Sequence, residues 1–369
     1  MAALRDAVTA ARAGFRRPDI RFCATADGVK IAVATYGSGP PLVRAGTWLT
    51  HVEYDATSAL SAHWGEELAR NHRYVTYDGR GSGLSDRAPG ALSLEVFVGD
   101  LEAVVDGLGL ERFPLVGISM GAPVAVAYAA KHPERVRRLV LHGGFHRSYL
   151  SAENPDPRVL AEADVLFKSA RLGWGTGSPA LRQVFAAKLL GDATEAQRQA
   201  FEERQRVTAT AEVAEAYLRA MFALDVKALA PRVSCPTLAF HSRGDALVYL
   251  EQGRKLASLI PGARFVPLDS RNHVPFREEP AWQVLATELR SFLDEDGGVR
   301  APSPAKALTA RQLEVLRGVS RGLTDKEIAG ELSLSPRTVE MHVARALATL
   351  ESANRAEAVR KAAAAGLLD

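Results

Sequence analysis

The feature that most constrains this chain is the pentapeptide Gly117-Ile118-Ser119-Met120-Gly121, set between an apolar run and a helical run. Residues 113–116 read as a buried strand and 122–131 as a helix, so Ser119 is expected at a strand-to-helix corner. Glycines at 117 and 121 tolerate the crowding that such a corner imposes. Residues 42–44, 74–77, 138–141, 237–240 and 264–268 read as further buried strands, with helical stretches near 59–70 and 282–293. That alternation predicts an α/β fold, a mostly parallel sheet covered on both faces. Residues 20–36 open it with two β-rich runs around Asp27-Gly28, a type I′ hairpin signal.

Between about 147 and 232 the β signal vanishes and the pattern turns helical, interrupted by Gly173-Trp174-Gly175-Thr176-Gly177 and Gly191-Asp192. A helical block inserted between two α/β halves reads as a lid. Its aromatics (Phe167, Trp174, Phe185, Phe201, Tyr217 and Phe222) are expected mainly as core, and they favour a largely apolar ligand beneath. Residues 294–307, rich in Gly, Pro and charge, read as a linker. The plan is therefore an N-terminal extension at 1–19, an α/β domain at 20–293, the linker, and a small all-α domain at 308–369.

Composition excludes several classes. An apolar share of 47% with 24% charged residues is ordinary for a soluble globular chain, and the net charge of +3 does not announce a nucleic-acid binder. Residues 306–369 hold ten Lys/Arg against eight Asp/Glu, a weak electrostatic footprint. Cys23 and Cys235 make neither a disulfide framework nor a metal knuckle, and no histidine spacing suggests zinc. No metal or cofactor is expected. Residues 1–17 lack the apolar core of a secretory signal, and no window approaches the ~20 apolar residues of a spanning helix. The expected location is cytoplasmic, away from membranes.

A serine attacks a carbonyl only if a base takes its proton, and the base needs an acid to hold its tautomer. Asp245 follows the strand at 237–240, and His273 follows the strand at 264–268. Both are expected at the carboxyl ends of parallel strands, the edge where Ser119 sits. The amide of Met120, near the helix start, is expected to face a developing oxyanion. His51 and His63 flank a helix near the expected pocket, where contact with a ligand is the minority reading. His72, His132, His142, His146 and His241 read as ordinary strand-end, loop or surface residues.

Here the chain resembles the α/β-hydrolases over about 20–293. The order Ser119, Asp245, His273 follows that fold, and the loop at 78–86 (D-G-R-G-S-G-L-S-D) is similar to the D-x-R-G-x-G-x-S-D stretch of many members. It reads as a tight turn, not a phosphate cradle. The resemblance implies a possible serine hydrolase of esters, lactones or amides, with Ser119, Asp245 and His273 catalytic. It places the oxyanion hole at the amides of Met120 and Thr47. Two departures stand out. Arg44-Ala45-Gly46-Thr47-Trp48 replaces the frequent His-Gly after the third strand, and Ala122 replaces a common glycine after the elbow.

The C-terminal stretch carries four helix starts: the boxes Thr309–Gln312, Thr324–Glu327 and Asn354–Glu357, and Ser335 followed by Pro336. Apolar stripes run through Leu313, Leu316 and Val319, through Ile328, Ala329 and Leu332, through Val339, Val343 and Leu347, and through Ala356, Val359 and Ala363. The order of residues from Leu308 to Val343 closely resembles the LuxR-type helix-turn-helix. That resemblance implies a recognition helix at 336–350 in the major groove of double-stranded DNA. It gives Lys326, Arg337 and Thr338 to phosphate, and it leaves Glu340, Met341, Ala344 and Arg345 pointing outward toward the bases. Glu340, Ala344 and Thr349 stand where many relatives carry lysine. The last helix, 356–367, is the expected homodimer contact. The combined reading is a DNA-binding transcriptional regulator whose hydrolase-fold domain senses a small carbonyl-containing ligand, with the residues to hydrolyse it. The alternative is a serine esterase with an accessory DNA-binding tail.

Overall fold

The computed structural model describes residues 18–148, 150, 156–175, 178–294, 310–332, 334–349, 352 and 354–364. The chain divides into two compact units, one through Glu295 and one from Asp296. Of the expected extension at 1–19, residues 1–17 lie outside the described residues and Asp19 already belongs to the first strand; the linker beyond Asp294 and the cap at Thr309 also lie outside them.

The first unit is built on β1 (Asp19–Ala24), β2 (Lys30–Tyr36), β3 (Pro41–Arg44), β4 (Arg73–Tyr77), β5 (Phe113–Ile118), β6 (Val136–His142), β7 (Thr237–Ser242) and β8 (Arg264–Leu268). They form one sheet in the order β1-β2-β4-β3-β5-β6-β7-β8. β2 runs antiparallel to β1 and β4, and every pair from β4 to β8 is parallel. All six residues of β5 and of β7 are buried, as a strand covered on both faces requires. The chain steps from β3 outward to β4 and then back across to β5. The order thus reverses between β3 and β5, the crevice where open α/β sheets hold their ligands.

Helices cover both faces. On one lie α1 (Val52–Asp55), α2 (Ala62–Leu68) and the C-terminal α10 (Pro280–Asp294), whose Val52, Trp64, Leu68, Trp282, Leu285 and Leu289 join one core. On the other lie α3 (Leu94–Gly107), α4 (Gly121–Lys131) and α9 (Leu250–Leu259). Ser93 starts α3 by accepting from the Val96 amide. The helical block expected as a lid consists of α5 (Pro157–Gly173), α6 (Pro179–Leu189), α7 (Glu195–Thr208) and α8 (Ala211–Met221). It is tied to loops at the carboxyl edge of the sheet. Gly83 N donates to Thr208 O, the Tyr54 hydroxyl to Ala200 O, and His273 N to Leu189 O.

One turn departs from expectation. β1 and β2 are joined by five residues, Thr25 to Val29, not by a two-residue type I′ turn. Gly28 N closes on Thr25 O and the Thr25 hydroxyl on Asp27 Oδ1, while Gly28 takes φ +87. Within this wider loop Asp27 is held by its pairing with Arg80. The 78–86 loop is a turn, as expected, and it is a buried one. Arg80 is 2% exposed between Asp100 and Asp27, and Ser85 links the Ala32 amide to Asp78 O.

The second unit holds α11 (Ala310–Ser320), α12 (Asp325–Leu332), α13 (Pro336–Thr349) and α14 (Arg355–Ala364). Thr324 and Glu327 exchange both bonds of a capping box, Ser335 Oγ accepts from Thr338 N, and Asn354 Oδ1 from Glu357 N. Val315, Ile328, Ala329, Val339 and Val343 make one small core, and Leu316, Ala346, Ala358 and Ala362 another. Ala356 is exposed, contrary to expectation, because α14 turns Ala358 and Ala362 inward instead.

Candidate active site and nucleic-acid surface

At the elbow two chain segments approach closely. A Cβ on Gly121 would stand 2.9 Å from Gly46 O, and one on Gly117 2.7 Å from the Ala122 Cα. Only hydrogen fits at either position. Ser119 itself is held at φ +55, its amide bonded to His142 O at 2.8 Å. Among the described residues one other non-glycine has positive φ, Leu49 at +41, on the loop that packs against the elbow. Its carbonyl accepts from Arg204 of the lid. The two strained residues lie on segments joined by the Thr47 hydroxyl to Ile118 O bond, and strain of this kind persists where surrounding packing holds it. The methyl of Ala122 is accommodated by Gly144, where a Cβ would lie 2.5 Å away.

Asp245 and His273 meet as expected. His273 Nδ1 is 2.6 Å from Asp245 Oδ2, while the carboxylate's other oxygen accepts the amides of Leu247 and Val248 at 2.9 and 3.0 Å. Burial would raise the Asp245 pKa. The attraction of His273 and the bonds from His241, His273 and the Val248 amide outweigh it and hold the carboxyl below its ordinary value. His273 Nε2 is buried and has no hydrogen-bond partner. Its ring lies over Gly143, where a Cβ would stand 2.9 Å from Cε1, and Gly143 directly follows the residue whose carbonyl takes the Ser119 amide. Ser119 and His273 share no hydrogen bond.

The expected oxyanion segment is pinned on three sides. The Thr47 hydroxyl donates to Ile118 O at 2.9 Å, Gly46 N to the Tyr77 hydroxyl at 2.8 Å, and Ala45 N to Val116 O. The amides of Thr47 and Met120 have no protein acceptor among the described residues.

Several histidines differ from expectation. His63 is buried against Trp282, its Nε2 on Pro275 O, so it faces core and not ligand; burial lowers its pKa to about 4. His51 caps α1 by accepting from Tyr54 N. His72, His142, His146 and His241 are all buried. Two of them back the site. His142 Nε2 donates to the His273 carbonyl at 2.9 Å, and His241 Nε2 donates to Val248 O at 2.7 Å while lying 3.5 Å from Asp245 Oδ2. Burial, then the neighbouring His273, depresses His142 to about 3, so it is neutral. His142 ends β6 and His241 is the penultimate residue of β7, on the edge that carries the site, the one clue in the sequence, and a lone histidine carries no spacing signature.

In the second unit, Lys326, Arg337, Glu340, Met341, Ala344 and Arg345 are exposed, and Thr338 is half-buried with its hydroxyl on Ser335 Oγ. Met341 is among the few large apolar side chains left outside, at 40% exposure. Val339, Val343 and Ala346 turn inward from the same helix.

The sequence matches the alpha/beta hydrolase fold family over residues 53–280, more than half of the chain. The chain belongs to that family. Residues 306–362 match the bacterial regulatory proteins of the luxR family, so the chain joins a hydrolase fold to a luxR-type domain. It is 27% identical over 274 residues to a pimeloyl-[acyl-carrier protein] methyl ester esterase of Chromobacterium violaceum, covering 71% of this chain and 99% of that one. A putative carbamate hydrolase of Caulobacter segnis is 30% identical, with 56% and 77% covered. Among solved structures, an enol-lactonase from Burkholderia xenovorans superposes with a TM-score of 0.60 at 25% identity, covering 74% of this chain and all of that one. Among the described residues no helix is long and apolar enough to cross a membrane.

Proposed function

We propose that this chain is a DNA-binding transcriptional regulator whose hydrolase-fold unit senses a small carbonyl-containing ligand at Ser119. The observation that carries the reading is a buried, oriented His273–Asp245 pair with a free Nε2, on the same chain as a luxR-type helix whose outward residues are unburied. Ester, carbamate and lactone names among the relatives support a carbonyl as the reacting group.

In this reading Ser119 Oγ attacks the carbonyl carbon and its proton passes to His273 Nε2. Asp245 holds the imidazole in the tautomer that keeps Nε2 free and stabilises the cation that forms. The carbonyl electron pair moves onto oxygen, facing the amides of Met120 and Thr47. Collapse expels the leaving group, which takes the proton from Nε2, and the acyl group stays on Ser119 until water repeats the steps in reverse roles. Occupancy changes DNA affinity only if the ligand binds two arrangements of the protein unequally. Lys326, Arg337 and Thr338 meet phosphate, Glu340, Met341, Ala344 and Arg345 face base edges, and a homodimer places two such helices on the operator.

The test has two readouts on the purified full chain. A fluorophosphonate should add one adduct by intact mass, lost in Ser119→Ala. DNA flanking the protein's own gene should be bound with sequence selectivity and a salt-dependent affinity. No adduct removes the nucleophile, and no selective binding removes the regulator.

A further inference from the structure

We propose that Trp48 and Trp174 form a ligand subsite that recognises a flat, conjugated or aromatic group carrying a hydrogen-bond acceptor of its own, separate from the carbonyl at Ser119. This rests on Ser119 being the reactive centre.

Trp48, Trp174 and Phe185 form a closed set of rings. Trp48 lies 4.8 Å from Trp174 and 5.5 Å from Phe185, and the last two meet edge-on at 5.6 Å. The set bridges the oxyanion segment and the lid. Trp48 directly follows Thr47, and Phe185 precedes by one helical turn Leu189, whose carbonyl takes the His273 amide. One ring thus directly follows Thr47 in the chain, and another shares a helix with Leu189, which holds the His273 amide.

Both indole Nε1 atoms are buried and neither has a hydrogen-bond partner. Trp174 is 4% exposed, whereas Trp48 keeps part of its surface open. A buried N–H without an acceptor is costly, and indole can only donate. Two such donors on touching rings at the site margin are what a ligand with a matching acceptor would satisfy, its ring stacking on theirs. A third unpartnered indole, Trp64, lies in the opposite core 5.6 Å from the His142 ring and serves as the control.

The experiment uses the full chain and three probes: phenylboronic acid and its 3-acetyl and 4-acetyl derivatives, which cap an activated serine reversibly. Affinity is measured in wild type, Trp48→Phe, Trp174→Phe and Trp64→Phe; phenylalanine keeps a ring and removes the donor. One acetyl isomer should bind about tenfold tighter than the parent in wild type and in Trp64→Phe. That gain should vanish in Trp48→Phe or Trp174→Phe while parent affinity holds, which also shows that the variant is folded. No gain in wild type means that water satisfies the indoles and overturns the subsite. A gain surviving both substitutions is electronic in origin and overturns it too. Absence of any boronate binding overturns the subsite if the fluorophosphonate adduct forms. If that adduct is also missing, the Ser119 reading falls first and takes the subsite with it.

Discussion

The two units put their polar chemistry in opposite places. In the hydrolase unit Asp245, His142, His241 and His273 are all nearly inaccessible and are held by strand ends. In the helical unit the residues assigned to DNA are exposed, apart from half-buried Thr338, and the two small cores beneath them are aliphatic. The difference teaches how each unit achieves specificity. A buried site fixes atoms at bond distance and is sensitive to protonation and packing. A surface helix needs only a firm inner stripe, and its outer residues are sensitive to salt and partner.

That contrast can be broken most severely at Ser119. Ser119→Ala should lower the fluorophosphonate labelling rate by about 10⁴-fold or more, with operator affinity of the unmodified protein unchanged. Loss of DNA binding in that variant would show that the two units are not separable.

Acid should act on the buried unit next. The folded values of His63 and His142, about 4 and about 3, lie below the ordinary 6.5 because burial disfavours the charged forms. Below about 6.5 the unfolded chain binds protons that the folded one refuses, so stability falls as pH falls. Each histidine removes up to ~1.4 kcal/mol per pH unit until its folded value is reached. Thermal unfolding of the hydrolase unit should therefore shift down from pH 7 to pH 5, and His142→Asn should flatten the slope. An unchanged midpoint would contradict the burial of both rings.

Packing comes third. Gly253→Ala gains about 1 kcal/mol of helix propensity in α9. Its Cβ, however, would lie 2.0 Å from Nδ1 of the fully buried His241. The clash should win, costing a net ~1–3 kcal/mol and slowing labelling through the Asp245 loop. Equal stability by denaturant titration would mean that His241 has room to move.

The smallest effect belongs to the surface. Lys326→Ala should weaken operator and non-operator DNA alike by a few fold and reduce the salt slope by about 1. It should leave labelling at Ser119 untouched.

Much of this was legible in the sequence, for reasons that differ by region. Ser119, Asp245 and His273 could be placed because each follows a strand, and parallel strands bring their carboxyl ends to one edge. The outward face of α13 could be read by elimination from Val339 and Val343. The supporting contacts were not legible. His142 and His241 act through a backbone carbonyl and a neighbouring loop, and Trp48 meets Trp174 and Phe185 only through the lid. The β1–β2 turn departs from its local signal where Asp27 pairs with distant Arg80. In α14 the alanine-rich sequence leaves the inner stripe ambiguous, and packing chose Ala358 and Ala362 over Ala356.

The central claim, that chemistry at Ser119 governs DNA binding, is tested by measuring operator affinity before and after stoichiometric fluorophosphonate modification, in wild type and Ser119→Ala. The account predicts a change of at least about fivefold in wild type, the lower end of ordinary coupling between sites, and none in the variant. Equal affinity before and after modification, with the adduct confirmed by mass, would contradict it.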